Sequence, residues 1–306
     1  MCLIFAVTGA TVRRRSDVMT AVRARLISVD VSDEQTSSDS RSPRDAEALR
    51  AAIAERVGSP GHGVASTIEV VDATGSTNAD LAARAAEPGI IGTVRITTDQ
   101  TSGRGRHARV WSAPPGGQVA VSVVLDARGS TERLGWLSLA TGVAAASAIE
   151  SSTGVRPTLK WPNDVLVDGK KVAGILAEYI PSPAGGVVIV GIGINTAMTA
   201  DELPVDTATS LQIESGQPVD VPTLVADYLK ALGDMPWPDD IEGLARRYRD
   251  RCDTLGRRVR LSLPDERSVD GVADDVDEQG RIVIRTDDGP FTAAAGDVLH
   301  LRPAQN

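Results

Sequence analysis

The sequence predicts an α+β fold, a mixed β-sheet packed on helices followed by a small β-barrel, and two changes of pattern carry that prediction. Through residues 66–255, short β-branched runs alternate with longer Ala/Leu-rich helical segments. From Gly256 onward the helical period stops, and strictly alternating segments separated by Gly-containing turns take over. Ahead of both, residues 1–43 show no sustained period. Residues 30–44 are mostly Ser, Asp, Glu, Thr and Arg, too poor in apolar side chains to order themselves. Residues 1–43 are therefore expected to be a disordered extension, with a start at Met19 left open.

The elements follow in order. Residues 44–65 read as a short helical lead-in, with an Ala/Leu/Arg pattern over 44–57 expected at the periphery. Thr67-Ile68-Glu69-Val70-Val71 alternates as a strand. Gly75-Ser76-Thr77-Asn78 then starts a helix over 79–86, which Ser76 or Thr77 can cap and whose first turn Asp80 suits. A strand over 93–98 leads into an arginine-rich loop, and 119–125 is a strand of buried type. The helix over 133–151 sets Leu134, Leu137, Leu139 and Val143 on the sheet. Strands over 158–161, 171–178 and 187–194 precede helices over 221–232 and 240–255, the second ended by Gly256 as a C′ residue. In the barrel, 256–306, the strands are 258–263, 281–285 and 297–301, with turns at Gln279-Gly280 and Asp288-Gly289.

Composition excludes several classes of function. The net charge of -9 opposes nonspecific binding of polyanions, which is driven by phosphate neutralisation. Aromatic residues make up only 3%, too few for stacking on nucleic-acid bases. Cys2 and Cys252 lie far apart and there are three histidines, so neither a disulfide framework nor a zinc-ligand spacing is present, which suits a reducing compartment. No apolar run approaches the roughly 20 residues that span a bilayer. The apolar opening is followed, not preceded, by Arg13-Arg14-Arg15, the wrong order for a secretory signal. A cytoplasmic location is expected, without a membrane partner.

Against that acidic background, Ser102-Gly103-Arg104-Gly105-Arg106-His107-Ala108-Arg109-Val110-Trp111 puts three arginines and two glycines into one loop. Guanidinium donors suit phosphate and carboxylate, and glycine lets the backbone approach a ligand closely. A small anionic ligand is the expected cargo. Four other segments carry polar or cationic chemistry. Lys160-Trp161-Pro162-Asn163-Asp164 bends at Pro162, so Lys160, Asn163 and Asp164 project from a corner; an ordinary hairpin corner is the plain alternative. Gly169-Lys170-Lys171-Val172-Ala173-Gly174-Ile175-Leu176-Ala177-Glu178 carries lysine into a strand, where one ammonium is expected in solvent and the other aimed along the sheet; two turn lysines before an ordinary strand are the plain alternative. Gly191-Ile192-Gly193-Ile194-Asn195 strips side chains from one strand face, for a ligand slot or for close helix packing. Gly75-Ser76-Thr77-Asn78 offers neutral donors and acceptors at a helix N-terminus, or simply caps it.

Taken in chain order, from Gly75-Ser76-Thr77-Asn78 through Gln100 and the arginine loop to Gly191-Ile192-Gly193-Ile194-Asn195, the five segments closely resemble the catalytic domain of biotin–protein ligases, over roughly residues 66–302. The resemblance implies a mixed sheet related to class II synthetases and an SH3-like C-terminal barrel. It implies a two-step ligase: biotin and ATP give biotinyl-5′-AMP, and a lysine of a biotin carboxyl carrier protein domain takes the biotinyl group. It assigns Ser76, Thr77, Asn78, Gln100, Gly103, Arg104, Gly105, Arg106, Lys171 and Gly174 to biotin. It assigns Arg106, Trp111, Lys160, Asn163, Asp164, Lys171 and Asn195 to ATP, and catalysis to Lys171, Arg106 and Asp164. Mg2+ is expected with ATP, its ligands unassigned, and a homodimer stays open.

Two departures from the family pattern stand out. Ala108 occupies a loop position that is commonly glycine, and alanine tolerates positive φ poorly. Bifunctional members carry an N-terminal DNA-binding domain, but the residues before 66 show no basic recognition helix, so no DNA partner is expected. Three further readings compete. Gly103-x-Gly105-x-x-Ala108 fits a dinucleotide fingerprint, yet Ser112-Ala113-Pro114-Pro115-Gly116-Gly117 stands where its helix would have to begin. A lipoate or octanoate ligase would prefer an apolar head site to Ser76, Thr77, Asn78 and Gln100, and a silent biotin-binding module would not need Lys171 and the arginines.

Overall fold

In the computed structural model, which describes residues 46–57, 64–127, 134–181, 186–236 and 239–301, the larger, N-terminal region is built on a seven-stranded sheet. The predicted extension 1–43 lies outside the described residues. The chain runs α1 (Ala46–Val57), β1 (Thr67–Val70), α2 (Thr77–Ala83), β2 (Thr93–Thr97), β3 (Gly103–Arg104), β4 (Val110–Trp111) and β5 (Gln118–Asp126). It continues through α3 (Gly135–Thr153), β6 (Thr158–Lys160), β7 (Asp164–Val167), β8 (Lys170–Ile180) and β9 (Val187–Asn195). Then come α4 (Leu211–Ser215), α5 (Val221–Gly233) and α6 (Ile241–Arg249). The C-terminal strands are β10 (Arg258–Ser262), β11 (Ser268–Val276), β12 (Ile282–Thr286), β13 (Gly289–Ala293) and β14 (Asp297–His300). The sheet order is β1-β2-β5-β9-β8-β7-β6, parallel between β1 and β2 and antiparallel elsewhere, so it is mixed as expected.

Period-two alternation decides which face does what. Val119, Val121 and Val123 of β5, with Val188, Val190, Ile192 and Ile194 of β9, enter the main core with α3 and α5. Helix α3 is buried almost all round, from Trp136 to Ile149; an Ala-rich helix can be sandwiched this way because its small side chains admit neighbours on every face. The α1 lead-in is less peripheral than its composition suggests, since Leu49 and Ile53 join this core. On the opposite face, α2 covers a small cluster of Leu81, Ile90, Val124, Val187 and Ile189. Beside it Ala120, Ser122, Gly191 and Gly193 leave the sheet face open to a cleft.

Helix α6 corrects one expectation. It ends at Arg249 instead of running to residue 255. The backbone of 251–253 pairs with β6 instead, Leu159 N donating to Arg251 O at 2.8 Å and Asp253 N to Leu159 O at 2.7 Å. Tertiary pairing outcompetes helix propensity here. Gly256 does have a left-handed φ of 78°, but in the turn into β10.

The C-terminal region is a five-stranded antiparallel sheet of order β13-β12-β11-β10-β14. Sequence reading finds three of these strands. It misses β11, broken up by Asp270, Asp274 and Asp275, and β13, which contains Pro290 and sits at the edge, where a missing N–H is tolerated. The two regions share one hydrophobic core. They are pinned by two buried tryptophans: Trp136 Nε1 donates to Glu278 O at 3.0 Å and Trp161 Nε1 to Gly280 O at 3.1 Å.

A charge network ties β1, β2 and α2 together. Glu69 accepts from Arg84 at 2.8 Å and from Arg95 at 3.0 Å, and Arg95 also meets Asp80. Burial pushes the Glu69 carboxyl up, but the two guanidiniums outweigh it and hold it below its ordinary 4.5. A depressed folded-state pKa stabilises the fold above the unfolded value, and that contribution is lost as pH falls through the folded one. Glu69→Gln is therefore expected to lower the melting temperature by a few degrees at neutral pH. The difference from wild type should shrink on acidification in thermal melts; a difference constant with pH would refute the linkage.

Candidate active site

One cleft gathers most of the predicted residues. Ser76, Thr77, Asn78, Gln100, Arg104, Gly105, Arg106, Trp111, Lys160, Asn163, Asp164, Lys171 and Gly174 all line it. Two do not. Gly103 lies beneath the rim, where an added Cβ would strike the Trp111 backbone and Gln100 Nε2. Asn195 is buried, with Nδ2 donating to Thr209 O at 2.8 Å.

The neutral end is a buried hydrogen-bond network at the start of α2. Ser76 caps the helix by accepting from Ala79 N at 3.4 Å, which fixes the next two side chains over the sheet. Thr77 N donates to Gln100 Oε1 at 3.0 Å, and Thr77 Oγ1 lies 2.7 Å from Ser122 Oγ. Ser122 Oγ donates to Asn78 Oδ1 at 2.6 Å, and Asn78 Nδ2 donates to Glu178 Oε2 at 2.8 Å and to Leu176 O at 3.2 Å. Ser122 and Glu178 are absent from the sequence-based assignment. A lone serine in the buried run Val119 to Leu125 was the signal available for the first, because a buried hydroxyl needs a partner.

The cationic end depends on a β-bulge. Between β7 and β8 the register jumps from Val165↔Ala173 to Leu166↔Lys171, so β8 carries an extra residue. Ala173, Ile175 and Ala177 face the core, and unbroken alternation would have buried Lys171 with them. The bulge sends Val172 inward instead and turns Lys171 onto the cleft face, while Lys170 is exposed to solvent. Lys171 Nζ pairs with Asp164 Oδ1 at 2.6 Å and lies 5.5 Å from the Trp111 ring centroid. Trp111 fills the space left by two glycines: an added Cβ would lie 2.6 Å from its ring at Gly193 and 2.9 Å at Gly174. Its Nε1 donates to Gln118 Oε1 at 2.5 Å.

The arginine loop is a short hairpin, Gly103 pairing with Trp111 and Arg104 with Val110. Arg104 Nη2 donates to Glu178 Oε2 at 3.1 Å, joining the loop to the neutral network. Arg106 turns inward and donates to Asn163 Oδ1 at 3.2 Å and to Gly296 O at 3.2 Å. Burial pushes its guanidinium below its ordinary value; Asp297 and Asp164 pull it back up, and Arg109 pushes it down again. A buried cation only partly compensated gains when an anion arrives. His107 and Ala108 adopt left-handed φ of 53° and 57°, so the alanine at the family's usual glycine position does carry the strain expected of it. Such a residue costs about 1–2 kcal/mol. Ala108→Gly is expected to slow hydrogen exchange of the closed loop's amides several-fold, since relief of that strain exceeds the added entropy of the open loop; unchanged or faster exchange would count against it.

Among the described residues no cluster of three metal-ligating side chains occurs. Asp164 and Asp297 are the carboxylates of the cleft lining. Two carboxylates are a sparse donor set, one that suits an ion whose other ligands are phosphate oxygens and water.

A mixed sheet that holds neutral donors and acceptors beside desolvated cations, with a small β domain at its edge, is the architecture of an acyl-activating protein ligase. Two family models match the chain: the biotin/lipoate A/B protein ligase family over residues 73–195, and the biotin protein ligase C-terminal domain over residues 254–301. A Mycobacterium tuberculosis protein named biotin–[acetyl-CoA-carboxylase] ligase is 41% identical over 244 residues, covering 77% of this chain and 89% of its own. A Paracoccus denitrificans protein of the same name is 32% identical over 239 residues, covering 74% and 97%. The structure of the Aquifex aeolicus biotin protein ligase in complex with biotin and ATP superposes with a TM-score of 0.66 at 28% identity, covering 78% of this chain and 99% of that one. The chain belongs to the biotin protein ligase family.

Proposed function

We propose that the chain activates biotin with ATP and transfers the biotinyl group to a lysine of a carboxylase's biotin carboxyl carrier protein domain. One observation carries this reading: the neutral grip of Thr77, Asn78, Gln100 and Ser122 and the cationic pair Lys171 and Arg106 occupy a single glycine-floored cleft. A ureido ring offers both donors and acceptors, which suits the first group. Its distal carboxylate and the nucleotide's phosphates need the second.

In the first step the biotin carboxylate attacks the α-phosphorus and pyrophosphate leaves, giving biotinyl-5′-AMP. Two anions must approach one another, so fixed positive charge lowers the barrier. Lys171 and Arg106 supply it without giving up a proton. In the second step an acceptor lysine amine attacks the acyl carbon; an amide forms, AMP leaves and the amine proton is lost, with Asp164 beside the reacting centre. Trp111 and the arginine hairpin keep water from the mixed anhydride. Lys160 and Asn163 border the phosphate end. Asp164 would border an Mg2+ ion carried with ATP, which would supply further positive charge at the phosphates. Asn195, buried and bonded to Thr209 O, lies outside the cleft lining and is given no contact with ATP in this reading. No DNA partner enters this reading, a homodimer stays open, and the cytoplasm is the proposed location. Among the described residues no helix is long and apolar enough to cross a membrane.

Biotin-dependent exchange of pyrophosphate into ATP by the purified protein tests the reading. Exchange with biotin and not with lipoate is the expected result. Exchange with lipoate alone would identify a lipoate ligase, and none with either would identify a silent binding module.

A further inference from the structure

We infer that Asp297, on the C-terminal domain, is the latch that keeps the arginine hairpin closed and so governs how long the activated acyl group is retained. The inference rests on the ligase reading above. Arg106 reaches the C-terminal domain through Gly296 O at 3.2 Å and the Asp297 carboxylate at 3.9 Å. Arg109, two-thirds exposed and with no need of a partner, nonetheless turns its Nη2 to Asp297 Oδ2. Two of the loop's three arginines thus converge on one carboxylate, which lies 188 residues beyond Arg109 in sequence.

The anchor is rigid. Asp297 pairs with Ser262 in the β10–β14 ladder. Gly296 is packed so closely that an added Cβ would lie 2.6 Å from Leu261 Cδ1 and 2.8 Å from Ser262 O. The hairpin is the opposite: it carries two strained left-handed residues, His107 and Ala108, and closes only if something holds it. Domain docking does not explain the contact, because Trp136 and Trp161 already pin the two regions together through Glu278 and Gly280. Asp297 is therefore a positioning residue, acting through Arg106 and Arg109.

An open hairpin releases biotinyl-5′-AMP. In solution any lysine amine can attack its acyl carbon, breaking the acyl–phosphate bond, forming an amide, expelling AMP and losing the amine proton to water. Labelling of a bystander protein without a carrier domain thus reports release. Asp297→Asn is expected to raise bystander labelling about tenfold over wild type, the loss of one charge-assisted contact. The melting temperature should stay within a few degrees of wild type. Asp297→Glu should restore retention, which a packing role would not predict. Should the Asn variant fail to fold, Arg109→Ala removes the same pair from the loop side and should leak as well. Bystander labelling at the wild-type level in a folded Asp297→Asn protein, or in Arg109→Ala, would overturn the latch. Absence of biotin-dependent exchange in the wild type would instead overturn the ligase reading.

Discussion

Lys171→Ala is expected to lower the rate of biotin-dependent ATP–pyrophosphate exchange by about 10²–10³-fold, the scale on which removal of one preorganised electrostatic contact acts. The bulge in β8 and the absence of a side chain at Gly174 aim this ammonium into the cleft; a Cβ at Gly174 would lie 3.0 Å from Nζ. Its removal does more than subtract a positive charge. Asp164, 2.6 Å away, loses its paired ammonium and keeps its negative charge beside arriving phosphates. Stability should hardly change, because the ion pair is partly exposed and such pairs contribute about 0–1 kcal/mol. Lys171→Arg should not recover the wild-type rate: the planar guanidinium is wider than an ammonium, and Trp111 and Asp164 already border the space. Lys170→Ala, one residue away on the solvent side, is the control and should retain wild-type exchange. Wild-type exchange in a folded Lys171→Ala protein would refute the electrostatic role.

The contrast between the neighbouring lysines shows what sequence could and could not reveal. That one lysine would be solvated and one aimed along the sheet follows from the cost of burying an ammonium. Which one, and by what device, depends on a register jump against β7, and local sequence carries no such information. The same division holds elsewhere. Cap, strand alternation and the glycine-rich face are local and were legible. Helix α6 was overextended because the competitor for residues 251–253 was the backbone of β6, far away in the chain. Ser122 left a trace, as a hydroxyl in an apolar strand. Asp297 left none: it is one of 41 acidic residues, and only the fold brings it to Arg106 and Arg109.

The glycine-rich face serves both uses the sequence left open, a cleft floor and close helix packing. Gly191 and Gly193 line the cleft, and they also admit two of the protein's own side chains, Asn78 of α2 and Trp111. Sequence shows that side chains are missing from a strand face. It does not show what fills the space.

That packing makes Gly191→Ala a severe test of the neutral site. The new methyl would fall well inside contact distance of Asn78 Oδ1 and 2.9 Å from its Cγ. Strand β9 cannot yield, since Gly191 pairs with Ser122 on one side and Leu176 on the other. Asn78 must therefore leave, giving up its bonds to Ser122, Leu176 and Glu178. Each buried polar group stranded without a partner costs about 1–3 kcal/mol. Biotin affinity by calorimetry is expected to fall at least about a hundredfold, equivalent to two such losses at 1.4 kcal/mol per factor of ten. The melting temperature should fall too. Adding Asn78→Ala removes the clash, so the double variant should regain much of its stability while biotin binding stays lost, a coupling that additive effects cannot produce. If Gly191→Ala binds biotin as wild type does, Asn78 is not part of the biotin grip, and the neutral end of the cleft serves only to cap and anchor α2.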